Sequence, residues 1–103
     1  MKQKIIQNFK DSFGVEDADA LELYGSYKQT VGEHAAKLEP LLAGASFEEL
    51  ARAAHSLKGC ALNCGHEEMA QAAKALEQAS KAQDAAACAQ FIQSILKASA
   101  MLD

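Results

Sequence analysis

The chain contains no tryptophan, a single proline and three cysteines among its 103 residues, and aromatic residues make up only 6% of it. None of its apolar runs approaches the roughly 18 residues that a membrane-spanning helix requires. The amino-terminal segment also lacks the long apolar core of a secretory signal peptide. Three cysteines cannot all pair, and the cytosol keeps thiols reduced. We therefore expect a cytoplasmic protein with no membrane partner and no disulfide framework.

Apolar residues, and alanine above all, are plentiful. Half of the chain is apolar and 22 residues are alanine, a composition that favours closely packed helices over sheets. A length of 103 residues suits one domain, spanning 1–103, that buries roughly 60–70% of its unfolded surface. The net charge of −4 makes nucleic acid a poor candidate partner.

The spacing of the apolar residues predicts an all-α fold. The predicted helices span 2–12, 17–39, 46–64, 66–82 and 85–101. Asp17 or Asp19 is expected to begin the second helix, which should bury Leu21 and should kink or stop at Pro40. The last helix is expected to bury Ala85 on its apolar side.

Local signals also mark both ends of the third helix. Ser46 and Glu49 have the spacing of a capping box at its start. Gly65 is expected to end it in a left-handed conformation. The turn that follows is so short that the third and fourth helices should form an antiparallel pair.

The third helix carries one histidine that points away from the core. On a helical projection His55 lies about 120° from the middle of the apolar stripe. Lys58 lies between that stripe and the histidine, and Gly59 follows His55 by one turn on the same side. A glycine inside a helix costs about 1 kcal/mol relative to alanine, so it is either a tolerated weakness or clearance for a partner. The stripe itself consists of Phe47, Leu50, Ala54, Leu57 and Ala61.

An imidazole nucleophile with a nearby cation and open space suits a group that accepts and returns a phosphoryl. The sequence His55-x-x-Lys58-Gly59 followed by Gly65, with Leu76-Glu77 downstream, resembles the signature of histidine-containing phosphotransfer (HPt) domains. The resemblance implies an antiparallel four-helix bundle with a short extra N-terminal helix. It also implies that the protein relays phosphoryl groups on His55 between receiver domains.

Glu77 is the expected neighbour of His55 across the turn. Reflecting His55 through the turn puts residues 74–77 at its level, and Glu77 lies roughly 70° from the centre of its own stripe. Its carboxylate is therefore a candidate to accept a hydrogen bond from His55 Nδ1, which would leave Nε2 as the nucleophile. The resemblance points to the same position, where HPt domains often have glutamate or glutamine.

The partners implied are receiver domains of response regulators or of a hybrid sensor histidine kinase. We expect no cofactor on this chain, because Mg²⁺ and the acceptor carboxylate would belong to the receiver. Because the sequence has no nucleotide-binding loop, we expect a carrier and not a kinase or other enzyme. We also expect the protein to be a monomer. Lys81 forms a surface ion pair with Glu77 or helps to neutralise the phosphoryl group. The remaining docking candidates are Glu48, Arg52, Ser56, Gly59, Leu62 and Asn63.

Two alternatives compete with this interpretation. A non-catalytic helical adaptor or dimerisation bundle explains the apolar stripes equally well, but it gives no reason for Gly59 beside an outward histidine. A metal site built from Cys60, Cys64 and His66 lacks a convincing fourth ligand, so we expect no metal. His66 itself is expected to start a helix and to have no chemical role.

Overall fold

The computed structural model describes residues 2–102, and these residues form helices with no strand among them. The helices are α1 (Lys2–Phe13), α2 (Asp17–Ala43), α3 (Phe47–Cys64), α4 (Glu67–Lys81) and α5 (Ala85–Ala100). The all-α prediction is therefore confirmed, and the observed bounds of four helices differ from the predicted ones by two residues or fewer at either end. The C-terminal end of α2 is the exception.

Helix α2 continues through Pro40 for a further turn, so the prediction that it would end at 39 is wrong. Pro40 is exposed and lacks an N–H, which removes one helical hydrogen bond. The turn still closes, because the Gly44 N–H donates to the Pro40 carbonyl at 3.1 Å. The residue that precedes α2 is Glu16, and Asp17 and Asp19 lie inside its first turn. There the two carboxylates complement the helix dipole instead of capping it.

The two ends of α3 differ in how well local sequence predicted them. Ser46 occupies the N-cap position, but its side chain accepts no backbone hydrogen bond, so the expected capping box is absent. Gly65 has φ = 70° and ends the helix in the left-handed conformation, as predicted. The N–H of His66 then donates to the Ala61 carbonyl at 2.9 Å, which satisfies one of the last free carbonyls of α3.

Helices α2 to α5 contact one another in a closed ring, α2 with α3, α3 with α4, α4 with α5 and α5 with α2, while α1 packs on α2 and α3. Two predicted core residues are not in the core. Leu21 is 49% exposed and Ala20 is buried in its place, and Ala85 is exposed at the start of α5. The largest fully buried aliphatic side chains are Ile5, Val31, Leu38, Leu50, Leu57, Met69, Leu76, Ile92 and Ile95.

None of the helices within residues 2–102 has the length and apolar character needed to cross a membrane.

Candidate functional site

His55 lies on the outward side of α3 in the structure. Its side chain is 66% exposed, whereas its neighbours Ala54 and Leu57 are completely buried. The apolar stripe of α3 therefore faces the core as its spacing predicted. This orientation leaves the imidazole accessible to a molecule that approaches from solvent.

Glu77 on α4 lies directly beside His55 and collects three donors. His55 Nδ1 is 3.1 Å from Glu77 Oε2, and Lys58 Nζ is 2.9 Å from Glu77 Oε1. Lys81 Nζ, one turn further along α4, is 3.3 Å from Glu77 Oε2. The Glu77 side chain is only 10% exposed, so these contacts replace hydration by water. The contact between His55 and Glu77 that the short turn predicted is present.

The protonation state of this cluster follows from its contacts. The hydrogen bond from Lys58 lowers the pKa of Glu77 most, and hydrogen bonds from Lys81 and His55 lower it further. Together they outweigh desolvation, which raises the pKa, and bring it to about 2. At neutral pH the carboxylate is ionised and can only accept hydrogen bonds. His55 Nδ1 must therefore carry the proton that it shares with Glu77. In the neutral ring, Nε2 then keeps its lone pair and is the free nucleophile.

The two lysines differ in their surroundings. The Lys58 side chain is 25% exposed, whereas that of Lys81 is 68% exposed. The structure thus places the Lys58 ammonium on the Glu77 carboxylate. Lys81 holds the same carboxylate from the solvent side, as the ion-pair interpretation predicted.

Apart from Lys81 on α4, the predicted docking residues lie on one face of α3, and all of these except the half-buried Gly59 are exposed. A Cβ built on Gly59 meets nothing within 4 Å, so the space beyond the glycine is open. Glu48 and Arg52 pair with each other at 2.7 Å, and the remaining candidates are solvent-exposed: Ser56, Leu62 and Asn63. The structure brings Arg52 and Ser56 close to the His55–Glu77 cluster, whereas Leu62 and Asn63 lie further along α3.

Two grooves flank His55 that the sequence did not reveal. A groove of about 580 Å³ separates the first half of α3 from the end of α4. A second groove, of about 450 Å³, lies between α2 and α3 and includes His34 and Lys37. Helical periodicity identifies which side of one helix is apolar, but it does not measure the gap between two helices. The first groove is lined by Phe47, Glu48, Ala51, Arg52, His55, Ser56, Glu77, Ser80, Lys81 and Gln83.

His66 has a larger structural role than its sequence position suggested. It precedes α4, as expected, but its ring is fully buried, and Tyr27 Oη lies 2.7 Å from its Nδ1. Burial lowers the pKa of His66, so the ring is neutral. Its Nε2 has no partner among the protein atoms of residues 2–102. No pattern in the sequence marks this pair, because the two residues are 39 positions apart.

The cysteines and metal-ligating residues form no site in the described part of the chain. Cys64 and Cys88 are buried, Cys60 is half-buried, and all of them are free thiols. Burial raises the pKa of Cys64 to about 11, which makes its thiol unreactive at neutral pH. Among residues 2–102 no three or more His, Cys, Asp or Glu side chains are placed to hold a metal ion.

A family model described as Hpt domain matches residues 22–103 of the chain. The match includes α3, with His55, and α4, with Glu77, and it leaves α1 outside. No curated protein and no solved structure matches the chain significantly.

Proposed function

Because this chain belongs to the Hpt domain family, whose members carry phosphoryl groups on histidine in phosphorelays, we propose that His55 is its phosphoacceptor. The protein takes the phosphoryl group from an aspartate of one receiver domain and passes it to an aspartate of another. In this proposal α2 to α5 form an antiparallel four-helix bundle and α1 is an additional helix. The receivers belong to response regulators or to a hybrid sensor kinase, and the carrier acts as a cytoplasmic monomer.

The observation that supports this proposal most strongly is the exposed imidazole held by a buried, ionised carboxylate. His55 Nε2 attacks the phosphorus of the aspartyl phosphate, and the bond from phosphorus to the aspartate oxygen breaks. The aspartate leaves as a carboxylate, and the Nδ1 proton stays on the ring, shared with Glu77. No proton has to leave Nε2, so the step needs no general base on this chain.

Charge neutralisation comes from both partners. The transferred phosphoryl group spreads negative charge over its equatorial oxygens. Lys81, the more exposed of the two lysines on Glu77, is free to reorient toward that charge, and Lys58 keeps Glu77 in place. Mg²⁺ on the receiver supplies the remaining neutralisation. Because transfer depends mainly on in-line positioning, a docking face and a correctly oriented imidazole are sufficient on this side.

The decisive experiment incubates the chain with a receiver domain labelled at its aspartate. We expect a label on this chain that is labile in acid and stable in base, and its loss in His55→Gln. His34→Gln is the matched control, since His34 is a partly exposed histidine on another helix. Label that persists in His55→Gln, or receiver binding without any label, would contradict the proposal. The second outcome would favour the adaptor interpretation.

A further inference from the structure

The turn between α4 and α5 contains a glutamine where the backbone favours glycine. Gln83 has φ = 56°. Its N–H donates to the Ser80 carbonyl and the Asp84 N–H donates to the Ala79 carbonyl, both at 3.0 Å. Gly65 ends α3 with the same left-handed conformation, which glycine adopts without steric cost. A glutamine in this conformation strains the backbone and is a reason to look for a role of its side chain.

Gln83 lies in the wall of the groove that includes His55. Phe47 and Ala51 form the α3 side of this groove, and Ser80 belongs to its α4 side. None of these four residues was identified from the sequence as a contact residue. A partner that reaches His55 from this side would touch the groove before it touched Gly59 or Leu62.

The charges around the groove favour an acidic partner. Arg52 and Lys81 have side chains that are 70% and 68% exposed. The Glu77 carboxylate is nearly buried and is held by its three donors. Glu48 is the one exposed carboxylate in this wall, and it is already paired with Arg52. Arg52 and Lys81 together outnumber Glu48, so the exposed charges in this wall sum to +1, which favours an acidic partner surface such as that around a receiver's acceptor carboxylate.

We propose that this groove is part of the surface on which the phosphoryl-donating receiver domain docks, and that the Gln83 side chain contacts that receiver. The inference rests on the proposed function. Even a transient interface buries roughly 600 Å² on each partner, a disc of about 14 Å radius. A receiver centred on His55 must therefore cover surface well beyond the outward side of α3. The groove is continuous with His55 and has the apolar wall and basic rim that such a contact uses.

The test compares two glycine substitutions that relieve the same backbone strain. Gln83→Gly and Ala45→Gly both replace a non-glycine residue at positive φ, since Ala45 has φ = 53° in the turn between α2 and α3. Both variants should raise the thermal unfolding midpoint, so neither can fail through misfolding. Only Gln83→Gly should slow transfer from the receiver, by about five- to tenfold in kcat/KM, as expected for loss of one contributing interface side chain. Ala51→Glu, which places a carboxylate in the groove, should slow it further.

Each variant is labelled along two routes. The first route uses the receiver domain that transfers fastest among those of the source genome, and the second uses phosphoramidate, which needs no docking surface. Equal labelling of the wild-type chain, Gln83→Gly and Ala45→Gly by phosphoramidate, together with slower receiver transfer in Gln83→Gly, supports the inference. Receiver transfer at the wild-type rate in both Gln83→Gly and Ala51→Glu overturns it. So does the finding that these variants split a dimer in sedimentation without affecting transfer, because the groove would then hold a second copy. If the wild-type chain is labelled by neither route, the proposed function itself has failed.

Discussion

Replacing Gly59 tests whether open backbone beside the phosphoacceptor is functional. The glycine lies inside α3, and a Cβ there meets nothing within 4 Å. Alanine or leucine should therefore stabilise the helix by about 1 kcal/mol, which corresponds to a rise in unfolding temperature of about 4–8 °C for a domain of this size. A leucine side chain would also hold a docked receiver more than about 1 Å away. Because misplacement of about 1 Å can slow a reaction by about 10²-fold, Gly59→Leu should make a more stable but much slower carrier.

The control for this prediction is Gly32→Leu. Gly32 also lies inside a helix with nothing within 4 Å of a built Cβ, but on α2. Both leucine variants should show the same gain in thermal unfolding measured by circular dichroism. Single-turnover transfer from a phosphorylated receiver should fall in Gly59→Leu alone. Wild-type transfer in Gly59→Leu, or an equal loss in both variants, would refute the argument that Gly59 provides clearance.

Three further predictions concern stability. Gly65→Ala should lower the free energy of unfolding, measured by chemical denaturation, by about 2 kcal/mol. The φ of 70° strains alanine, and the new Cβ would collide with the Asn8 side chain. An equal loss in an Asn8→Ala background would show that the collision contributes nothing. Asp84→Ala should cost about 1 kcal/mol, since its carboxylate accepts the Ala87 N–H, whereas Ser46→Ala should cost little because Ser46 makes no such bond. Stability should fall as the pH drops from the ordinary carboxyl pKa of 4.5 toward the pKa of about 2 that Glu77 has in the folded chain, because there the unfolded chain binds the proton first. Urea titrations across this pH range should show that the free energy of unfolding depends less on pH in Glu77→Gln than in the wild-type chain. An equal dependence on pH would contradict the conclusion that Glu77 is ionised in the folded chain.

Much of the fold could be predicted because its signals are local. Apolar spacing identified all of the helices, and Gly65 marked the end of α3 through its tolerance of positive φ. The expected end of α2 at Pro40 was wrong for a tertiary reason. Leu38 is buried and Leu41 and Leu42 are half-buried, so packing of this segment outweighs the one hydrogen bond that the proline removes.

Local sequence signals predicted some features of the candidate site and not others. The short turn after α3 was enough to place Glu77 at the level of His55. The sequence suggested Lys81 as an ion-pair partner of Glu77, but it did not show that Lys58 would share that carboxylate, because the reach of a flexible lysine depends on which acceptors lie around it. The buried contact between Tyr27 and His66 could not be predicted from local sequence signals either, because the two residues are distant along the chain.

By itself the sequence determined the number of helices, the side of α3 on which His55 lies and the pairing of that helix with α4, because period and turn length are properties of neighbouring residues. Only the tertiary structure decided how deeply Glu77 is buried, that Lys58 also binds its carboxylate and where grooves remain beside the imidazole. Those features depend on the distances between helices, and such distances follow from the packing of all the side chains together.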